Sequence, residues 1–157
     1  MVQPATTNEN VEMYLKYIYL LTKESGEPAR TGDLSHALKV SPASVTEMLD
    51  KLARRGFAKH AKYQGTRLTP KGSRIAVSIL RRHCVMEWFL AQRLGVPKAR
   101  VHDEACRMEH ALTEGTARRL RTLTDQPDTC PACYDLGKLH CRHLLAKRHG
   151  RGQAFAR

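Results

Sequence analysis

The stretch at residues 41–72, SPASVTEMLDKLARRGFAKHAKYQGTRLTPKG, decides the fold. It opens on Ser41, a good helix N-cap, with Pro42 at the first helical position, where a missing N–H costs nothing. Val45, Leu49 and Leu52 then recur at helical spacing until Gly56 stops the run. Just upstream, Thr31-Gly32-Asp33 leads into LSHALKV. This reads as a shorter helix capped by Thr31 or Asp33, with Leu34, Ala37 and Leu38 facing inward. Two short helices joined by a tight turn make a helix-turn-helix, although an ordinary helical pair shares the pattern. The residues after Gly56 favour the helix-turn-helix. Two short strands, at 57–60 and 66–69, flank a Gln64-Gly65 turn, and a hairpin directly after a recognition helix is a wing. Thr69-Pro70 caps the next helix.

On this reading the early turns of the second helix enter the major groove of DNA. Ser41, Ala43, Ser44, Thr46 and Glu47 face base edges and phosphates, where small side chains permit close approach. Lys51, Arg54 and Arg55 lie further along and suit phosphates, as do Lys59, Lys62 and Arg67 of the wing. The formal charge of the 157-residue chain, +12, agrees with a polyanionic partner. Before residue 129 there are 21 Lys and Arg against 14 acidic residues, and the last 29 residues hold the remaining +5. Charge alone is equally compatible with an anionic membrane surface or with solubility, so the winged motif is what selects nucleic acid. No apolar run is long enough to span a membrane and the N-terminus lacks a secretory signal, so a cytoplasmic location is expected. In that reducing compartment the five cysteines are expected as thiols or metal ligands.

Outward from the motif, residues 1–8 read as a disordered lead and the next helix, with Asn8 or Asn10 as its cap, is stopped by Gly26 and Pro28. Val11, Leu15 and Ile18 form its packing stripe, edged by Tyr14 and Leu21. Met13 lies about 140–160° around the helix from that stripe. It either meets a second domain or offers its thioether to something else. Downstream, residues 71–93 form a long helix that seats His83 and Glu87, spaced i and i+4, among Ile79, Met86 and Leu90. Each then needs a partner, which a mutual hydrogen bond would supply.

After Leu94-Gly95-Val96-Pro97 comes the segment 101–112, VHDEACRMEHAL. On one helix, His102, Cys106, Glu109 and His110 would lie within about 100° of each other, beside an apolar stripe of Val101, Ala105, Met108 and Leu112. Imidazole, thiolate and carboxylate on one face suit divalent iron, zinc, nickel or cobalt, and the thiol argues against magnesium or calcium. The plainer alternative is a surface helix with scattered polar residues. Residues 113–123 continue helically, and dimerisation through these last helices is expected. In the tail, Cys130-x2-Cys133, Cys141, His140 and His143 have the spacing of a structural zinc site or an iron–sulfur cluster, or else are incidental thiols of a basic tail.

ENVEMYLKYIYLL, SPASVTEMLDKLARRG, KYQGTRLTPKG and VHDEACRMEH together resemble, collinearly over about residues 9–125, the diphtheria-toxin-repressor family of iron- and manganese-dependent transcriptional repressors. The resemblance implies two metal positions: Met13, Cys106, Glu109 and His110 at one, and His83, Glu87 and His102 at the other. It implies that Met13 leaves the packing stripe because it is a ligand. The manganese-selective branch carries Asp at Met13 and Glu at Cys106, so the softer donors favour Fe(II), with Mn(II) the second choice. Longer family members have an SH3-like third domain that in some supplies ligands to the second position. This chain is read as a short form without it, the second position being filled by water, by the tail, or not at all.

The expected architecture is therefore mainly α. A winged helix-turn-helix (residues 1–70) precedes a helical metal-binding and dimerisation domain (71–127) and a Cys/His-containing basic tail (128–157). The expected function is a metal-dependent repressor that binds a palindromic double-stranded operator as a homodimer. The rival is a redox or iron–sulfur sensor signalling through Cys130, Cys133 and Cys141. An enzyme is not expected, since no general base stands beside the donors, no Gly-rich phosphate loop is present, and the HExxH spacing of metalloproteases is missing.

Overall fold

The computed structural model describes residues 8–61, 63–124, 134–135 and 140–141. Helix α1 (Glu9–Ser25) starts where Asn8 accepts a hydrogen bond from the Val11 backbone at 3.0 Å, and stops at Gly26, whose φ of 75° is left-handed. A short α2 (Thr31–Leu38) and α3 (Pro42–Arg54) come next. The Ser41 hydroxyl accepts from the Ser44 backbone at 3.1 Å, the cap expected of that residue. Strands β1 (Ala58–Ala61) and β2 (Gly65–Leu68) pair antiparallel, with Ala58 opposite Leu68 and Ala61 opposite Gly65. Ala29 and Thr66 exchange both backbone hydrogen bonds at 2.9 Å, which stitches the wing to the α1–α2 connection.

Thr69 then caps α4 (Pro70–Gln92), succeeded by α5 (Lys98–Met108) and α6 (Glu114–Thr124). Two residue pairs, β3 (Tyr134–Asp135) and β4 (His140–Cys141), pair antiparallel. The disordered lead expected over residues 1–8 lies outside the described residues except for Asn8.

Two apolar clusters result. The first gathers Val11, Leu15 and Ile18 of α1 with Leu34, Val45, Leu49, Leu52 and Phe57, all at most 1% exposed. The second joins Met86 and Leu90 of α4 to Val101 and Ala105 of α5. Helix α1 packs on α4, so the two clusters share a wall. That placement explains why α1 is buried on nearly every side: Glu12, Tyr14, Lys16, Tyr17 and Leu20 are buried along with the expected stripe.

Several local expectations need correction. The N-cap of α2 is Arg30, with no side-chain cap, so neither Thr31 nor Asp33 plays that part. The wing strands lie one residue from where they were expected. Most consequential, α5 ends at Met108. Glu109 is its C-cap and His110 falls in the turn beyond it, rather than the helix running through Leu112. Arg82 of α4 satisfies carbonyls that the ended helix leaves open: its guanidinium donates to those of Glu109 (3.4 Å) and Leu112 (3.1 Å). Met108, expected on the packing stripe, is 44% exposed.

Candidate metal centre

Helices α1, α4 and α5 converge on Glu109, which is fully buried. One carboxylate oxygen lies 2.5 Å from Lys16 Nζ of α1, and the other 2.5 Å from His83 Nδ1 of α4. The second nitrogen of His83 lies 3.0 Å from Glu87 Oε1, the mutual His–Glu contact expected from their spacing. With a carboxylate at each ring nitrogen, both nitrogens donate, which only the imidazolium form can do. The Cys106 sulfur stands 3.5 Å from His102 Nε2, 3.9 Å from His83 Nδ1 and 3.7 Å from Lys16 Nζ. His102 Nδ1 is 3.6 Å from Glu87. His110 Nδ1 donates to Glu12 Oε2 at 2.7 Å, while its Nε2 lies 3.2 Å from Glu109, an ion-pair distance without hydrogen-bond geometry.

The electrostatics are a consequence of this crowding. Burial opposes charge on every member, and the neighbours overcome it. Around Cys106, His102, His83 and Lys16 lower the thiol to about 6. Cys106 and Glu87 raise His102 to about 9, and Glu109 and Glu12 raise His110 to about 9. His83 is pushed well above its ordinary value by Cys106, Glu109 and Glu87. Glu109 is held far below the carboxylate range by His110, His83 and Lys16. Lys16 is raised in turn by Glu109 and Cys106. Thiolate and carboxylates are thus compensated by an ammonium and by protons on imidazoles.

This is the charge pattern a divalent cation would satisfy. The donor atoms of His83, His102 and Cys106 already lie within 4.8 Å of one another. The buried Nε2 of His110, with no hydrogen bond, turns toward the same Glu109. Thiolate, imidazole and carboxylate together fit Fe(II), Co(II), Ni(II) or Zn(II). The residues present fit the group.

Residues expected at two separate positions therefore form one continuous network: His83, Glu87, His102, Cys106, Glu109 and His110. Met13 is half-buried and packs against the first apolar cluster; its α1 neighbours Glu12 and Lys16 contact His110 and Glu109. Those two α1 residues escaped the sequence reading. The available signal was that Glu12, Lys16 and Met13 fall within about 100° of one another on α1.

On the other half, Ser41, Ala43, Ser44, Thr46, Glu47 and Lys51 are all exposed along one side of α3, opposite buried Val45, Leu49 and Leu52. Lys59 is exposed on the wing, as is Arg67, whose guanidinium donates to the Gly26 carbonyl at 2.7 Å. Tyr63, also passed over by the sequence reading, is 94% exposed at the wing tip with φ 67°. Lys62, Cys130, Cys133 and His143 lie outside the described residues, and of His140 and Cys141 only the backbone pairing is described. Among the described residues no helix is long and apolar enough to cross a membrane.

Comparison with known proteins agrees with both halves. Residues 6–66 match the N-terminal DNA-binding domain of iron-dependent repressors, and residues 69–134 match their metal-binding and dimerisation domain. The chain is 36% identical over 119 residues to an uncharacterized HTH-type transcriptional regulator of Methanocaldococcus jannaschii, covering 76% of this chain and 95% of the relative. It is 34% identical over 123 residues to the iron-dependent repressor IdeR of Mycobacterium leprae, covering 78% of this chain and 53% of IdeR. The solved structure of a manganese-dependent transcriptional repressor in complex with manganese superposes with a TM-score of 0.71 at 31% identity, covering 80% of this chain and 57% of that one. The chain thus spans little more than half the length of these last two proteins. From its helix-turn-helix through its donor cluster, the chain belongs to the iron-dependent repressor family of metal-dependent transcriptional regulators.

Proposed function

We propose that this chain is a metal-activated repressor that binds a palindromic operator as a homodimer in the cytoplasm and has no enzymatic activity. The observation that carries the reading is the position of Glu109, tied at once to α1 of the DNA-reading half and to α4 of the other half. Residues 1–70 read DNA, residues 71–127 hold metal and dimerise, and in the basic segment 128–157 Cys130, Cys133, Cys141, His140 and His143 are candidate ligands for zinc or a cluster. Cys106, Glu109 and His110, with Met13, would hold the regulatory ion. His83, Glu87 and His102 would hold a second. When bound, the ion supplies a divalent charge shared between α1 and α5. The thiolate and thioether favour Fe(II) in that role, with Mn(II) next.

The residues of this chain do the rest. Their donors bias the two halves only insofar as they bind the ion more tightly in the DNA-competent arrangement. A coupling of about 1–3 kcal/mol changes operator affinity about 5- to 150-fold. In a two-fold dimer that arrangement sets recognition helices about 34 Å apart, or a multiple of it. Ser41, Ala43, Ser44, Thr46 and Glu47 then face the groove, and Lys51, Lys59, Lys62 and Arg67 the phosphates. The family match to a dimerisation domain supports the homodimer, as do apolar Leu94, Met108 and Leu123, each at least 44% exposed.

The test is an anaerobic gel shift with operator candidates, run with chelator and then with Fe(II), Mn(II), Co(II), Ni(II) or Zn(II). Retarded DNA in one or more metals and not in chelator is expected. Equal retardation throughout would remove metal from the mechanism.

A further inference from the structure

Lys16 is buried where neither packing nor DNA contact calls for a cation. Its side chain is 3% exposed, and its ammonium sits 2.5 Å from Glu109 Oε1 and 3.7 Å from Cys106 Sγ. A buried ammonium needs compensating partners, and here the partners are two of the donors assigned to the ion. The same donors cannot serve both cations at full strength. Met13 lies three residues before Lys16, and residues i and i+3 are neighbours on a helix surface. Helix α1 thus carries two side chains of opposite chemistry at neighbouring surface positions, of which Lys16 is the one that meets Cys106 and Glu109. The lysine is a cation and binds Glu109 directly. The methionine is neutral and gains nothing from a carboxylate unless a cation stands between them.

We propose that Lys16 is a tethered competitor of the divalent ion, occupying Glu109 and Cys106 in the metal-free protein and leaving them as metal loads. The proposal rests on the metal-binding reading of this site. It makes Lys16 a residue that sets the threshold concentration of metal. It also gives the switch two linked states. In one, α1 reaches α5 through the Lys16 ammonium; in the other, Met13 becomes the α1 donor and the flexible lysine stem swings out. Loading therefore exchanges one tie between the halves for another.

A purely structural salt bridge makes the opposite forecast. If Lys16 serves only to hold α1 against the donors, removing it loosens and scatters them, and metal binds no better. The full-length wild type, Lys16→Gln and Lys16→Arg proteins are titrated anaerobically with Co(II) against a competing chelator. Binding is read from the thiolate-to-cobalt absorption that Cys106 would give. Lys16→Gln is expected to bind Co(II) about tenfold more tightly. Lys16→Arg keeps the charge, pairs well with a carboxylate, and is expected to bind as wild type does or more weakly.

Unchanged or weaker binding by Lys16→Gln would overturn the proposal while leaving the metal site intact. So would tighter binding by Lys16→Arg, which decides the matter even if the glutamine variant does not fold. A wild type that takes up no Co(II) and shows no thiolate band would overturn both the proposal and the reading beneath it.

Discussion

The carboxylate of Glu12, in the first turn of α1, accepts a hydrogen bond from His110, just past the end of α5, at 2.7 Å. The two are 98 positions apart in sequence and belong to different halves of the chain. With the Lys16–Glu109 pair one helical turn further along α1, this makes two buried or nearly buried ionic ties between one helix of the DNA-reading half and the donor cluster. A change at the donors is thereby a change in what holds the halves together.

Glu12→Gln removes the charge but keeps the shape. Without that carboxylate His110 loses one of the two partners that raise it to about 9, so it should titrate at lower pH. Histidine-selective NMR across a pH series would measure this. Stability should fall by about 1 kcal/mol, because the amide oxygen still accepts from His110 but without the strength that the carboxylate charge gives the bond. An unmoved His110 titration would mean that the tie is absent in solution.

The metal-free protein should lose stability as pH rises. His102 and His110, at about 9, and His83, also raised, stay protonated when folded at pH values where the unfolded chain has lost those protons. Their contribution is full below the ordinary histidine value and disappears as pH climbs through about 9. Cys106, lowered to about 6, acts in the opposite sense, its contribution being full above the ordinary thiol value and lost as pH falls through about 6. Three imidazoles outweigh one thiol, so the net slope is downward. Chemical denaturation at pH 6.5, 7.5 and 8.5 in chelator would show this; a stability that rises over that range would contradict the charge assignment.

Because ligands must shed those protons, metal uptake should release protons to the solvent and tighten as pH rises toward 9. Calorimetry of Co(II) binding in buffers of different ionisation enthalpy reads the release directly. Binding heats independent of the buffer would show that the imidazoles keep their protons and are not ligands.

Gly72, in the first turn of α4, packs on the wing so closely that an added Cβ would lie 2.0 Å from the Phe57 carbonyl oxygen. That oxygen is backbone and accepts from Thr69, so it cannot simply step aside. Gly72→Ala should cost about 1–3 kcal/mol in urea unfolding, the usual range for overpacking. A stability equal to wild type would mean the wing does not sit against α4 as described.

Ala43 separates DNA binding from folding. It is exposed in the first turn of α3, where an acidic side chain favours the helix dipole. Ala43→Glu should keep or slightly raise the melting temperature while abolishing the gel shift through repulsion from phosphates. Retained DNA binding would place the recognition surface elsewhere.

Much of the fold is legible in the sequence alone. Caps announce the helices: Asn8, Ser41-Pro42 and Thr69-Pro70 stand where a chain entering a helix needs an acceptor, and each such signal is local. Apolar spacing locates both buried clusters, and the i, i+4 pair His83 and Glu87 advertises its own contact. What escapes is set by partners far away in sequence. The end of α5 is met by Arg82, whose guanidinium takes the carbonyls of Glu109 and Leu112 from 27 and 30 positions away, and periodicity carries no trace of that. Glu12 and Lys16 look like solvent-facing charges on an amphipathic helix. They are buried because α1 packs on α4 as well as on its own domain, with His110 and Glu109 meeting their charges. The donors are legible by type and spacing, but their merging into a single network reflects how α4 and α5 pack.

The central claim is that donors shared between α1 and α5 make DNA affinity answer to metal. The most direct measurement is fluorescence anisotropy of operator DNA at fixed salt, anaerobically, with chelator and with saturating Fe(II), for wild type and for Cys106→Ala. Wild type should bind about 5- to 150-fold more tightly with metal, and Cys106→Ala should bind equally with and without it. A wild-type affinity indifferent to metal, or a variant that responds as fully as wild type, would contradict that claim.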